Sequence, residues 1–236
     1  VLQGVFVAPW QGHDLRWRAI IIQIVRIGVQ SLPIVGTISF IVGLIIAMQS
    51  AYQLERFGAA IYVADLVGVS MTRELGPLIT AILMAGRTGS AIAAEIGTMQ
   101  VAEELDALKT MALHPIRYLA VPRTLAMLIV VPCLTVLADL LGILGGMLLG
   151  ITSLKIPWLS YFNETAEAIL FKDFLSGMIK SVFFAAIIAI VGAYEGFHVA
   201  GGAEGVGKAT TTAVVRSIFI IILADMIFTA LFYSTF

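Results

Sequence analysis

Residues 73–115 read RELGPLITAILMAGRTGSAIAAEIGTMQVAEELDALKTMALHP. The first half is apolar enough to sit in lipid, yet it opens on Arg73 and Glu74. A charged side chain at the centre of a bilayer costs at least about 2.5 kcal/mol, so such residues need a reason. The second half turns acidic: Glu95, Glu103, Glu104, Asp106 and Lys109 follow a run of small residues. Val101, Leu105, Leu108 and Ala112 recur at spacings of four, three and four, which places them on one helical face. Pro115 ends the stretch, since it has no N–H with which to continue a helix. The pattern reads as one helix descending through a membrane, then an amphipathic helix over about 96–113 that lies outside it.

Composition agrees. Of 236 residues, 60% are hydrophobic and 12% charged, with a mean hydropathy of +1.02. Soluble domains run about 45–50% apolar and about 25% charged. A net charge of -1 without a basic patch gives no footprint for nucleic acid. The lone Cys133 lies in an apolar segment and has no intrachain partner for a disulfide. The opening residues, from Val1, lack the basic-then-apolar pattern of a signal peptide.

Working outward, the chain divides into an N-terminal segment, 1–30, and a five-span region, 31–236. In residues 10–30, Arg16, Gln23, Arg26 and Gln30 form a polar stripe opposite Ile and Val. That predicts an interfacial helix with its basic residues facing head groups; a short first span is the alternative. Pro33 is expected to break the chain before a first span over 34–54. The second span, about 59–86, contains Gly76-Pro77, where a kink is expected. At about 1.5 Å per residue, Arg73 and Glu74 lie some 20 Å inside it. The third span, about 124–150, carries Gly142, Gly146 and Gly150, a small-residue ridge suited to close helix approach. A far-side segment at 155–172 has Trp158, Tyr161 and Phe162 for the interface. The fourth and fifth spans run about 174–194 and 213–232, joined by a glycine-rich turn, HVAGGAEGVGK.

Positive charge orients the spans. Arg16, Arg18, Arg26, Arg87, Lys109, Arg117, Arg123, Lys208 and Arg216 fall on one side, and only Arg56, Lys155 and Lys172 on the other. The richer side is cytoplasmic, which puts the N-terminus inside and the C-terminus outside.

Other motifs carry little. Gly202 to Ala209 nearly matches a nucleotide-binding loop, but Ala209 stands where a magnesium-holding Ser/Thr belongs, and a membrane helix precedes it instead of a strand. His13, His114 and His198 are scattered and make no metal site, and Ser90 has no histidine placed to activate it. Lys180 is close enough to the far end of its span to snorkel outward, and Asp139 and Asp225 read as helix-packing or partner-facing groups.

The run from RELGP through MALHP resembles the signature of the MlaE-type permease family, membrane subunits of ABC-type lipid transport systems that work with MCE-domain proteins. The later run KSVFFAAIIAIVGAYEGFHVAGGAEGVGKATTTAVVRSIF resembles the family's second signature. The resemblance covers the chain from about residue 30 onward. It implies an all-α polytopic fold, a homodimer and phospholipid transfer between inner and outer membranes of a bacterium. It also implies a cytoplasmic ABC ATPase that holds ATP and magnesium, a periplasmic MCE-domain partner and often a STAS-domain subunit. This chain would be no enzyme and hold no cofactor. Lipid binding is implied for Arg73, Glu74 and Leu75, and by register for Ile46, Gln49, Leu54 and Phe57. Coupling to the ATPase is implied for Glu95, Gly97, Met99, Glu103, Glu104, Leu105 and Leu108.

Other readings remain at this stage. The acidic helix could rest on the bilayer, although anionic head groups repel it. Arg73 and Glu74 could be structural ions with Asp139, Lys180 or Asp225 as partners. Glu74 or Asp225 could carry a proton in an ion-driven secondary transporter, or the chain could merely anchor an ATPase.

Overall fold

The computed structural model describes residues 17–235, the last three by backbone alone. Every regular element among them is helical. Helix α1, Trp17–Leu54, is 38 residues long and runs through Pro33. The expected break there does not occur: a membrane helix tolerates the missing N–H where neighbouring groups re-satisfy the backbone. At about 1.5 Å per residue α1 is longer than the ~30 Å hydrocarbon core, so its first turns extend beyond a single crossing. In those turns the apolar side is open and the polar stripe also meets protein groups. Ile21, Ile22, Val25 and Val29 are exposed, while Arg26 and Gln30 bond to protein groups. The part of the expected interfacial segment before Trp17, with Arg16 and His13, lies outside the described residues.

The second membrane-length helix, α2, runs Ala60–Val101, longer than the expected span. It widens twice into π-type turns, Met71–Leu75 and Ala85–Gly89, where Gly76 N–H bonds to the Met71 carbonyl and Ser90 N–H to that of Ala85. A π-turn adds a residue without a break and is common at functional sites. The first one holds RELGP. Pro77 has no N–H to offer one turn back, and the Thr72 carbonyl abuts Gly177 so closely that a Cβ there would overlap it.

The amphipathic helix is shorter than expected. Helix α3 spans only Glu104–Thr110. Glu103 before it and Ala112 after it adopt left-handed conformations, each with φ 59°. Val101 therefore belongs to α2 and Ala112 to a turn, and only Leu105 and Leu108 of the expected apolar face lie on α3.

Helix α4, Ile116–Thr152, opens with a third π-turn at Ile116–Ala120 and passes through Pro132. The short α5 is Trp158–Ala168, α6 is Phe171–Phe197, and α7 is Gly202–Thr235. The glycine-rich segment is not a loop beyond Gly201: Gly202 to Lys208 form the first turns of α7. They are helical from Gly202 on, and a long apolar helix, not a strand, precedes them, so the context of a nucleotide-binding loop is absent. Among the described residues α1, α2, α4, α6 and α7 are long and apolar enough to cross a membrane.

Contacts group the chain into two units. One comprises 1–30, 81–131 and 182–227; the other 31–80, 132–181 and 228–236. In the first, Ile92, Ile96, Leu105, Leu119, Ala120 and Ala193 make the core. In the second, Ala47, Ala51, Val63, Val67, Met71 and Leu149 do so. The second unit uses the glycine ridge: Gly142 faces Met71, Gly146 faces Val67 and Tyr161, and Gly150 faces the Tyr161 ring. Gly43 meets the backbone of Gly142, an approach that excludes any side chain.

Candidate functional site

In the second unit, the widened turn of α2 aims Arg73 and Glu74 at different positions on α6. Lys180 Nζ donates to Glu74 Oε2 at 2.5 Å and to Thr229 Oγ1 at 2.8 Å. Thr229 Oγ1 in turn donates to Glu74 Oε1 at 2.9 Å, so the three side chains close a ring. Lys180 is fully buried, whereas the Glu74 side chain keeps 29% of its surface open. The lysine therefore does not snorkel outward. A buried ammonium needs a carboxylate to offset its desolvation, and Glu74 is placed to supply it.

Arg73 Nη1 stands 3.8 Å from Asp173 Oδ1. Asp173 also accepts the Leu170 N–H at 3.2 Å, which fixes the start of α6. Seven residues separate Asp173 from Lys180, two helical turns, so one face of α6 receives both charges of the Arg-Glu pair. Asp139 is buried beside Gly76, where a Cβ would collide with its Oδ1, and that oxygen has no hydrogen-bond partner.

The remaining lipid-binding candidates divide. Ile46, Leu54 and Leu75 pack half-buried on the Ala47–Met71 cluster. Gln49 and Phe57 are exposed, Phe57 by 81%. The structure thus brings three of the expected apolar groups to one core and leaves two on the surface. Sequence reading missed Thr229, the hydroxyl that completes the ring; a Thr in an apolar helix gives no periodic signal.

In the first unit, Leu105 and Leu108 pin α3 to the core, while Glu103, Glu104, Asp106 and Lys109 face outward. Lys109 pairs with Asp106 at 2.7 Å. Gly97 and Met99 lie on α2, not on the amphipathic helix; a Cβ at Gly97 would strike Val199, and Met99 packs on the core. Glu95 is held by Arg26 at 3.1 Å and Arg123 at 2.7 Å. A cavity of about 960 Å³, lined by residues including Leu105, Lys109, Leu113, Ile116, Tyr194 and Phe197, lies beside α3. Ser90 spends its hydroxyl on the Gly86 and Arg87 carbonyls. Among the described residues no group of metal-ligating side chains gathers.

Membrane-length helices that answer one another's charges in apolar surroundings define the class: a polytopic helical membrane protein. The model of the family Permease MlaE matches residues 20–231. A probable ABC transporter permease protein of Rickettsia prowazekii is 42% identical over 91% of this chain and 83% of its own length. A probable ABC transporter permease protein of Synechocystis is 37% identical over 98% of this chain and 87% of its own. The intermembrane phospholipid transport system permease protein MlaE of Haemophilus influenzae is 36% identical over 88% and 80%. The chain belongs to the MlaE permease family.

Proposed function

We propose that the chain is the permease subunit of an ABC-type system that moves phospholipids between the inner and outer membranes. The observation that carries this is the likeness to the Haemophilus phospholipid permease along nearly the whole chain. The chemistry of the second unit is compatible with it. Arg73 and the partly open Glu74 border an apolar cluster that includes Leu75, Ile46 and Leu54, with Gln49 and Phe57 on the surface of the same unit. A phospholipid needs that combination: fixed charge for its head group and apolar wall for its chains.

The chain resides in the inner membrane with its N-terminus cytoplasmic and its C-terminus periplasmic. It works as a homodimer with a cytoplasmic ABC ATPase, a periplasmic MCE-domain protein and, in some systems, a STAS-domain subunit. ATP and magnesium belong to the ATPase. The α3 segment is the coupling element. Glu103 and Glu104 present charge to the ATPase, Leu105 and Leu108 transmit its movement to the core, and Gly97, Met99 and Glu95 hold α2 in register beneath it.

The test is transfer of a fluorescent phospholipid by the reconstituted complex. Transfer should require ATP and survive collapse of the membrane potential; the reverse result assigns an ion-driven secondary transporter. Glu74→Ala should abolish transfer with the complex intact. Reversing Glu103 and Glu104 to Lys should cut co-purification of the ATPase at least tenfold, and undiminished recovery removes α3 from the coupling role.

A further inference from the structure

Three arginines of the first unit meet around a small cavity of about 80 Å³ that the transport reading does not use. Arg26 comes from α1, Arg87 from the second widened turn of α2, and Arg123 from α4. Glu95 gives one carboxylate oxygen to Arg26 and the other to Arg123, so it is fully engaged. Arg87 bonds only to neutral acceptors, the side-chain and main-chain carbonyls of Gln30, and no carboxylate among the described residues pairs with it. The lining thus holds three guanidiniums against one carboxylate, two positive charges in excess. Arg123 has only 11% of its side chain open, and its Nε, fully enclosed, has no hydrogen-bond partner.

Two missing negative charges among three guanidiniums describe an oxyanion. We propose that Arg26, Arg87 and Arg123 form a phosphate-binding site. Guanidinium forks match phosphate oxygens in pairs, which a lysine cluster would not. The volume suits one tetrahedral group and excludes an acyl chain. The flank of α1 next to the site exposes Ile22, Val25 and Val29, a surface that suits the chains of a lipid whose head group reaches in. The phosphate comes from a phospholipid head group or from the free anion. Glu95 has a second role in this arrangement: it spaces Arg26 and Arg123 and keeps both forks from collapsing on the ligand position.

Native mass spectrometry of the full, delipidated chain tests the site by titration with dioctanoyl phosphatidylglycerol, dioctanoylglycerol and inorganic phosphate. The phosphatidylglycerol should bind at least tenfold tighter than dioctanoylglycerol, which has the same chains and no phosphate. Arg87→Gln should weaken that binding at least tenfold, in the wild-type background and equally in Glu74→Ala, which separates this site from the proposed transport site. Arg26→Gln, at a half-exposed position, repeats the measurement if Arg87→Gln does not fold. Displacement of the lipid by inorganic phosphate assigns the free anion as a ligand; lipid binding that phosphate leaves untouched assigns the head group. Wild-type affinity in both arginine variants, or equal affinity for dioctanoylglycerol, overturns the proposal.

Discussion

Glu74 and Lys180 divide their burden unequally. The lysine is fully buried and the glutamate is not, so removing each leaves a different orphan. Without Glu74, a buried ammonium loses its carboxylate; breaking a buried pair in this way costs about 3–5 kcal/mol. Without Lys180, the half-open carboxylate can hydrate or protonate. Thermal unfolding in detergent should therefore rank Glu74→Leu as more damaging than Lys180→Met, and the double variant should recover most of the loss. A double variant as unstable as Glu74→Leu alone would show that the ring acts through something other than charge. Tyr161 makes the opposite case. Its ring fills the groove of Gly146 and Gly150, but its hydroxyl has no partner. Burial, and secondarily the Asp65 carboxylate, hold the phenol above its ordinary range, so it stays neutral at working pH. Tyr161→Phe keeps the packing and deletes the unsatisfied group, and should raise stability by about 1 kcal/mol in the same assay. At this scale the sequence was half legible. An Arg-Glu pair inside an apolar span announces itself and leaves Lys180 among its candidate partners, whereas the Thr229 hydroxyl, 155 residues from Glu74, gives no signal.

Elements were legible where hydrophobicity alone decides them and illegible where the backbone does. Periodicity places Leu105 and Leu108 on one face, and both do pack inward. It carries no information on the left-handed Glu103, which splits the expected 96–113 helix into the end of α2 and the short α3. Nor does it reveal the π-turns, since an added residue leaves the apolar run unbroken. Pro33 suggests a break because proline breaks water-soluble helices. In α1 the apolar environment keeps the remaining hydrogen bonds closed. With only seven residues, α3 is too short to be stable by itself and depends on its anchors. Leu105 is 2% exposed, so Leu105→Ala should cost about 2–4 kcal/mol. Hydrogen exchange should show that loss concentrated in residues 104–110. Uniform loss across the unit would mean that α3 and the core unfold together, and then α3 transmits no movement of its own.

For the whole molecule, the count of crossings was legible because length and hydropathy suffice for it. What covers each helix was not. The apolar window of α7 is 11% buried, against 50% for α4, although the two are similarly apolar. Phe219, Ile222, Met226 and Ile227 stand open along it. Such a helix is covered by lipid or by a second copy, and neither is encoded in its own pattern. The proposed orientation of the chain rests on charge. An odd number of crossings puts the two ends of the five-span region on opposite sides, and the arginines and lysines favour the side that holds Arg26, Arg87, Lys109, Arg117 and Arg123 as cytoplasmic. An alkaline phosphatase fused after residue 236 should be active, and a fluorescent protein inserted in the 111–114 turn should fluoresce. The paired measurement is stricter than either alone: signals that place both positions on one side would require an even number of crossings between them, and α4, α6 and α7 supply three.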